Sequence, residues 1–97
     1  MNAIQQQLEN ERAVMKWDAI IPHARRDAVI CVDAQLDLVT VGTAIAEDHV
    51  SSVNHWISEL LIRKPSQEEL TVWNQAPEQE FATLIVQPYV LIQPIQQ

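Results

Sequence analysis

The segment that follows Glu80 contains no charged residue down to the end of the chain. Residues 81–87 and 89–93 are rich in β-branched and aromatic side chains, which is typical of strands buried in a sheet. Pro88 separates the two runs, and because proline cannot donate to a sheet ladder, it marks an edge, a bulge or a turn. This segment therefore requires a β-core, and it leaves open whether residues 81–93 form one bent strand or two.

The spacing of apolar residues predicts the other elements of the fold. Helices are predicted over 3–15, from Asp18 towards Arg25, over 36–46, from Asp48 to about residue 60, and over 67–75. We therefore expect an α+β fold, in which four or five helices pack a small sheet of 28–32, 81–87 and 89–93, with 61–64 as an optional fourth segment. A single compact domain is expected over residues 1–97, with frayed ends at about 1–3 and 94–97.

Polar residues that precede the helical segments predict how those helices begin. Asp18, Asp33 and Asp48 each lie where an N-cap is expected, and Pro22 should then fall in a first turn, where its missing N–H is tolerated. Ser66 followed by Glu69 is the pattern of a capping box.

The helix that begins at Asp48 carries an apolar stripe of Val50, Val53, Trp56, Ile57 and Leu60. A stripe of this spacing favours burial against a core, so we expect this helix to dock firmly. Trp17, Trp56 and Trp73 are expected in the core or at its rim. Gly42, the only glycine of the chain, is expected to let its helix approach a neighbouring helix or the sheet closely.

Acidic residues dominate the charge of the chain, with 13 Asp and Glu against 6 Lys and Arg and a net charge of −7. Residues 27–62 contain six carboxylates and neither Lys nor Arg. Since affinity for nucleic acid rests largely on neutralising phosphates, binding to nucleic acid or to an anionic membrane is disfavoured. A nucleic-acid regulator would need a basic stripe assembled from Arg12, Lys16, Arg25, Arg26, Arg63 and Lys64.

Cys31 lies inside the apolar run 28–32, and as the only cysteine it cannot form an internal disulfide. We expect it to be a small core side chain. The N-terminal residues lack the basic and apolar regions of a signal peptide, and no apolar run reaches membrane-spanning length. A cytoplasmic location is therefore the expectation.

Several segments in this order resemble a known family. The more specific are Ala44-Ile45-Ala46-Glu47-Asp48 and Gln87-Pro88-Tyr89-Val90-Leu91, accompanied by 36–39, 56–57 and 61–65. Over roughly residues 8–93 the chain is similar to a bacterial family of short proteins catalogued as a domain of unknown function. The resemblance implies an uncharacterised bacterial protein and supplies no activity. It also implies that glycine often stands where this chain has Leu60, so the end of that helix is expected to be built differently here.

Chemistry-bearing residues are sparse, and no cofactor or metal is expected from their spacing. Asp33 and Asp37 lie near one end of the predicted helix 36–46, while Glu47 and Asp48 lie at the other, roughly 15 Å away at 1.5 Å per residue. The candidate functional surface consists of eight residues: Asp33, Asp37, Glu47, Asp48, His49, Trp56, Pro88 and Tyr89.

Two main hypotheses of function follow. The first is a small interaction or accessory domain that acts through a surface, either on an unknown protein or on itself. In the second case it would form a homodimer paired through an uncharged sheet edge over 89–97. The alternative is a small-ligand or divalent-metal-dependent enzyme that uses the carboxylates of Asp33, Asp37, Glu47 and Asp48 in a cleft. We favour the interaction domain, because it requires the least of the residues present.

Overall fold

The computed structural model describes residues 3–95, and these form five helices and one five-stranded mixed sheet. The α+β prediction is therefore confirmed. In chain order the elements are α1 Ala3–Glu11, β1 Ala13–Lys16, α2 Trp17–Arg25, β2 Val29–Val32, α3 Leu38–Ala46, α4 Val50–Ser58, β3 Ile62–Arg63, α5 Gln67–Asn74, β4 Glu80–Val86 and β5 Tyr89–Pro94.

Of the predicted frayed ends, residues 1, 2, 96 and 97 lie outside the described residues. Ala3 and Pro94, which were included in the same prediction, belong to regular structure: Ala3 begins α1 and Pro94 ends β5.

The strands are ordered β1-β4-β5-β2-β3, which places the C-terminal strand inside the sheet. β4 and β5 form an antiparallel hairpin in which Val86 pairs with Tyr89, and the turn contains a cis peptide bond before Pro88. On its other side, β5 pairs in parallel with β2. The prediction of a free edge at 89–97 is therefore wrong for the strand, because both ladders of β5 are occupied within the chain.

The sheet buries a separate core on each of its faces. The core on the side of α1 and α3 contains Leu8, Val41, Leu84 and Leu91, and half-buried residues of α4 pack against it. The core on the side of α2 and α5 is built on aromatic rings. Strands β2, β4 and β5 supply both cores, since successive side chains point to opposite faces, whereas Met15 of β1 packs only on the second core and Ile62 of β3 only in the first.

Trp17, Trp73 and Phe81 form the centre of the second core, with ring centroids 5.0–5.8 Å apart. The Trp17 indole N–H donates to the Asn74 side chain at 2.8 Å, so its polar atom is satisfied as burial requires. Trp56 is half-buried against the first core. All three tryptophans thus lie in a core or at its rim, as expected.

β1 was missed by the sequence prediction, which extended the first helix through residue 15. The apolar run Ala13-Val14-Met15 widens a helical stripe, but the chain instead pairs it antiparallel with β4, Ala13 opposite Thr83. The Thr83 hydroxyl donates to the Ala13 carbonyl at 3.1 Å and reinforces this edge. A partner distant in sequence therefore overrides the local spacing.

The start of α2 is also set by a distant contact. The backbone N–H groups of Trp17 and Asp18 donate to the carbonyls of Gln79 and Pro77 at 2.8 and 3.0 Å. Asp18 is therefore in the first turn rather than at the N-cap, which is Lys16, and Pro22 lies inside the helix rather than in its first turn. Both predictions for this helix start are corrected.

Two further predicted caps shift in the structure. Asp37, not Asp33, is the N-cap of α3, and its carboxylate accepts from the Thr40 N–H at 2.9 Å. Asp48 does not cap α4, because His49 occupies that position without a side-chain cap bond. Asp48 instead takes the left-handed conformation just after α3, with φ 58°. The capping box of Ser66 and Glu69 is confirmed at the start of α5.

Gly42 brings α3 against the sheet, as predicted. A Cβ at this position would lie 2.7 Å from Leu84 Cδ2 and 3.2 Å from Val86 Cγ2. Because Leu84 is completely buried, it has little room to move aside.

Gly42→Ala should consequently destabilise the protein by about 1 kcal/mol, since overpacking of about 1–3 kcal/mol exceeds the gain in helix propensity of about 1 kcal/mol. In a Leu84→Ala background the new methyl group fills part of the cavity, so the same change should be neutral or stabilising. Urea unfolding of wild type, Gly42→Ala, Leu84→Ala and the double variant measures the coupling free energy between the two positions. Strictly additive changes in the free energy of unfolding would contradict the close approach of α3 to Leu84.

Candidate functional site: the α4 groove

α4 is the least buried helix of the fold that carries a clear apolar stripe. None of its residues is fully buried, although it packs against α3 and β3. Val53 and Trp56 are half-buried against the first core, whereas Val50, Ile57 and the following Leu60 are 56%, 51% and 70% exposed. The expectation that this helix docks firmly is therefore wrong for three of the five residues of its stripe.

The exposed residues of the stripe, Val50, Ile57 and Leu60, line a groove of ≈ 550 Å³, which we call the α4 groove. Its walls come from α4, the end of α3 and three strands of the sheet. Its lining residues are Ile30, Ala44, Ile45, Asp48, His49, Val50, Val53, Asn54, Ile57, Leu60, Ile62, Arg63, Lys64 and Tyr89.

The lining of the α4 groove is mainly apolar and open to solvent. Tyr89, which begins β5, is 39% exposed and joins Val50, Ile57 and Leu60 there. Half of the eight exposed large hydrophobic side chains in the described chain thus converge on one concavity. Isolated exposed apolar residues are ordinary, but a cluster in a concavity indicates a binding surface.

Acidic residues lie at the helix ends beside the groove. Asp48 lines the groove, and the neighbouring Glu47 is the C-cap of α3, with a carboxylate oxygen 3.9 Å from His49 Nε2. Glu59, at the C-cap of α4, immediately precedes Leu60. α3 and α4 both end beside the groove, and a helix C-terminus carries partial negative charge.

The strand side of the groove carries cations that already have partners within the chain. Lys64 forms an ion pair with Asp27, and Arg63 donates to both carboxylate oxygens of Glu69 at 2.6 and 2.9 Å. The Arg63 guanidinium, together with hydrogen bonds from Ser66, lowers the pKa of Glu69 to about 2. The same bond raises the pKa of Arg63. This wall is therefore close to neutral.

A smaller cavity of ≈ 190 Å³ lies beyond Arg63, on the opposite side of β3, and Cys31, Asp33 and Trp73 are among its lining residues. Burial, aided by the charge of Glu69, raises the pKa of the Cys31 thiol to about 11. The thiol is therefore protonated at neutral pH, which makes it a poor nucleophile and agrees with the predicted core role.

The eight residues of the predicted functional surface are not brought together into one site. Asp48, His49 and Tyr89 line the α4 groove, whereas Asp33 lines the smaller cavity. The remaining four lie elsewhere: Asp37 at the N-cap of α3, Glu47 at its C-cap, Trp56 against the first core and Pro88 in the β4–β5 turn.

The four carboxylates of the enzyme hypothesis have separate surroundings. The Asp33 carboxylate accepts from the Gln35 N–H at 2.9 Å, and the Asp37 carboxylate caps α3. Only Asp48 of the four lines the α4 groove. Within residues 3–95, no group of three or more His, Cys, Asp or Glu side chains is placed to hold a metal ion.

Sequence reasoning missed Val50, Ile57 and Leu60 as surface residues, because it assigned the whole stripe to the core. A usable signal was present at Leu60, where the resemblance implies that glycine often stands. Leu60 adopts the left-handed conformation with φ 58°, so a leucine holds a backbone position that glycine prefers. The expectation that this helix end is built differently from that of its relatives stays a prediction.

Leu60→Gly should stabilise the fold by about 1 kcal/mol, because the left-handed conformation costs leucine about 1–2 kcal/mol and glycine very little. Glu59→Gly is the matched control: Glu59 has φ −89°, so glycine there gains nothing and should cost about 0.5–1 kcal/mol. Thermal and urea unfolding compare the three proteins. A destabilised Leu60→Gly would show instead that the leucine side chain contributes more than its exposure suggests.

The Arg63–Glu69 pair predicts a specific dependence of stability on pH. Because folding lowers the pKa of Glu69 from 4.5 to about 2, its stabilisation is complete above pH 4.5 and is lost as the pH falls towards 2. Glu69→Gln should cost about 1 kcal/mol at pH 7 through loss of the partly exposed ion pair and cap.

Urea unfolding across this range should show the difference between wild type and Glu69→Gln narrowing below pH 4.5. Glu68→Gln, one residue earlier on α5, supplies the control and should change stability little. If the difference in free energy of unfolding between wild type and Glu69→Gln stays constant from pH 7 to pH 2.5, the ionised Glu69 carboxylate is not its source.

Comparison with known proteins gives a family and a fold. A family model described as "Protein of unknown function (DUF2288)" matches residues 3–94. The NMR solution structure of PA1075 from Pseudomonas aeruginosa covers 100% of this chain and 89% of that chain, at 29% sequence identity and a TM-score of 0.82. No curated protein matches the chain. In the part of the chain that the structure describes, no helix has the length and apolar character needed to cross a membrane.

Proposed function

Because the chain belongs to the DUF2288 family, whose description names no activity, we propose a function from its own surface: it is an interaction domain that binds an apolar segment of another protein in the α4 groove. The observation that carries this proposal is the convergence of Val50, Ile57, Leu60 and Tyr89, all exposed, on one concavity. Apolar surface of this kind is favourable to cover, at roughly 25 cal/mol per Å² removed from water.

The shape of the groove supports a protein segment as the occupant. α4 has nine residues, so at 1.5 Å per residue the groove can follow it for about 13 Å, roughly the length of two and a half turns of a bound helix. Recognition of an amphipathic segment by an apolar groove is a common interaction mode. We assign the interaction to the cytoplasm, where a lone buried thiol such as Cys31 stays reduced.

A small apolar ligand is the second candidate, since the ≈ 550 Å³ of the groove falls in the range of about 300–1,000 Å³ that such sites occupy. The carboxylate enzyme draws less support, because Asp33, Asp37 and Glu47 do not line the groove. β5 offers no free edge for pairing with a second copy, because that strand is already paired on both sides within the chain.

Panning a phage-displayed peptide library on the protein tests the proposal. Peptides should be recovered whose affinity falls at least about tenfold, or 1.4 kcal/mol, in Ile57→Glu, because a buried unpaired carboxylate is unfavourable. Val72→Glu is the matched control, since Val72 is a 59% exposed helical valine on α5, outside the groove lining. Both substitutions replace exposed residues and should leave the fold intact by circular dichroism.

Recovery of no peptide, or of peptides that bind wild type and Ile57→Glu equally, would contradict the proposed interaction. If instead a hydrophobic dye such as ANS binds wild type but not Ile57→Glu, while no peptide is recovered, the small-ligand candidate is favoured.

A further inference from the structure

We infer that the segment bound in the α4 groove is basic as well as apolar, carrying Lys or Arg beside its apolar anchors. This inference rests on the proposed function and identifies the chemistry of the partner. It follows from how charge is distributed around the groove, and from which of those charges are already neutralised within the chain.

Negative charge lies at both ends of α4. Asp48 lines the groove beside the start of the helix, next to Glu47, and Glu59 lies at its end. Among residues 3–95, neither Asp48 nor Glu59 forms an ion pair, whereas Glu47 lies 3.9 Å from His49 Nε2. A Debye length of about 8 Å at physiological salt lets these carboxylates act on anything bound between them.

The two helix ends at the groove add to this negative potential. Ala44 and Ile45, in the last turn of α3, and Ile57, in the last turn of α4, all line the groove. Neither last turn contains Lys or Arg. The partial negative charge at a helix C-terminus favours a cation there, and a bound partner can supply one.

The cations of the opposite wall do not cancel this field. Lys64 is paired with Asp27 and Arg63 with Glu69, so the wall formed at β3 presents ion pairs rather than free positive charge. An acidic partner would have to compete with Asp27 and Glu69 for these groups, whereas a basic partner meets the Asp48 carboxylate in the groove lining and Glu59 at the adjoining end of α4.

The same distribution argues against a second copy of this chain as the occupant. A two-fold interface places the same patch on both subunits, and here it would oppose acidic ends to acidic ends. The net charge of −7 adds repulsion between copies at longer range. Charge complementarity therefore favours a basic segment of a different protein.

The test uses one apolar peptide obtained by panning, synthesised in three versions whose flanking residues are Lys, Gln or Glu. Fluorescence anisotropy of the labelled peptides should show the Lys version binding about tenfold more tightly than the Glu version at about 50 mM NaCl, with the Gln version between them. Raising the salt to about 300 mM should shrink the advantage of Lys, because the charges involved are exposed.

Substitutions in the protein locate the effect. Asp48→Asn and Glu59→Gln should each reduce the advantage of the Lys version severalfold and leave the Gln version unchanged. Glu68→Gln removes one negative charge on α5, away from the groove, and should leave the tighter binding of the Lys version unchanged. This control distinguishes the local effect of Asp48 and Glu59 from the effect of the net charge.

The inference is overturned if the Glu version binds as tightly as the Lys version, or if all three carboxylate variants reduce the advantage equally. Sedimentation showing a dimer that Ile57→Glu dissociates would overturn it in favour of a second copy. None of these results would contradict binding in the α4 groove itself. Loss of the proposed function would look different, because binding of every peptide version would then be insensitive to Ile57→Glu.

Discussion

The pairing of β5 between β4 and β2 is the constraint on which the rest of the fold depends. Strands β2 and β5 run parallel, with Val29 opposite Val90, and this is the ladder that joins the β1–β4 side of the sheet to the β2–β3 side. The Gln93 side chain extends the same connection by donating to the carbonyls of Asp33 and Leu36 at 3.0 and 2.7 Å, which holds the loop that leads into α3. Both cores therefore require the end of the chain to be in place.

The α4 groove is a consequence of how the helices are distributed over that sheet. Gly42 lets α3 pack so closely that Leu84 lies in contact with its backbone, and α3 and α1 cover the middle of one face. α4 follows α3 after a turn through the left-handed Asp48, packs on α3 and β3, and leaves part of its stripe uncovered over Ile30 and Ile62. The same packing that completes the core on one side of α4 thus leaves an apolar groove open on the other.

Local sequence signals predicted those features whose physical cause is local. Three features were predicted correctly: the capping box at Ser66, the strand around Cys31 and the close approach of α3 to the sheet at Gly42. Their signals are caps, short β-branched runs and a missing side chain, which act within a few residues. Two of the features predicted wrongly depend on distant partners. β1 exists because β4 is available to pair with it, and α2 begins at Trp17 because the carbonyl of Gln79 accepts its N–H. For the candidate site, Asp48, His49 and Tyr89 were named in advance, but the apolar residues beside them were assigned to the core.

By itself, the sequence determined the α+β class, the buried C-terminal segment, the concentration of carboxylates in residues 27–62 and the membership of a family without a described activity. Periodicity and composition suffice for these, since they reflect what each segment must bury or expose. Only the tertiary structure decided that β5 is an interior strand and that the stripe of α4 is half uncovered. An apolar residue such as Ile57 contributes the same spacing to the sequence whether or not another element covers it. Whether it is covered depends on where the other helices pack.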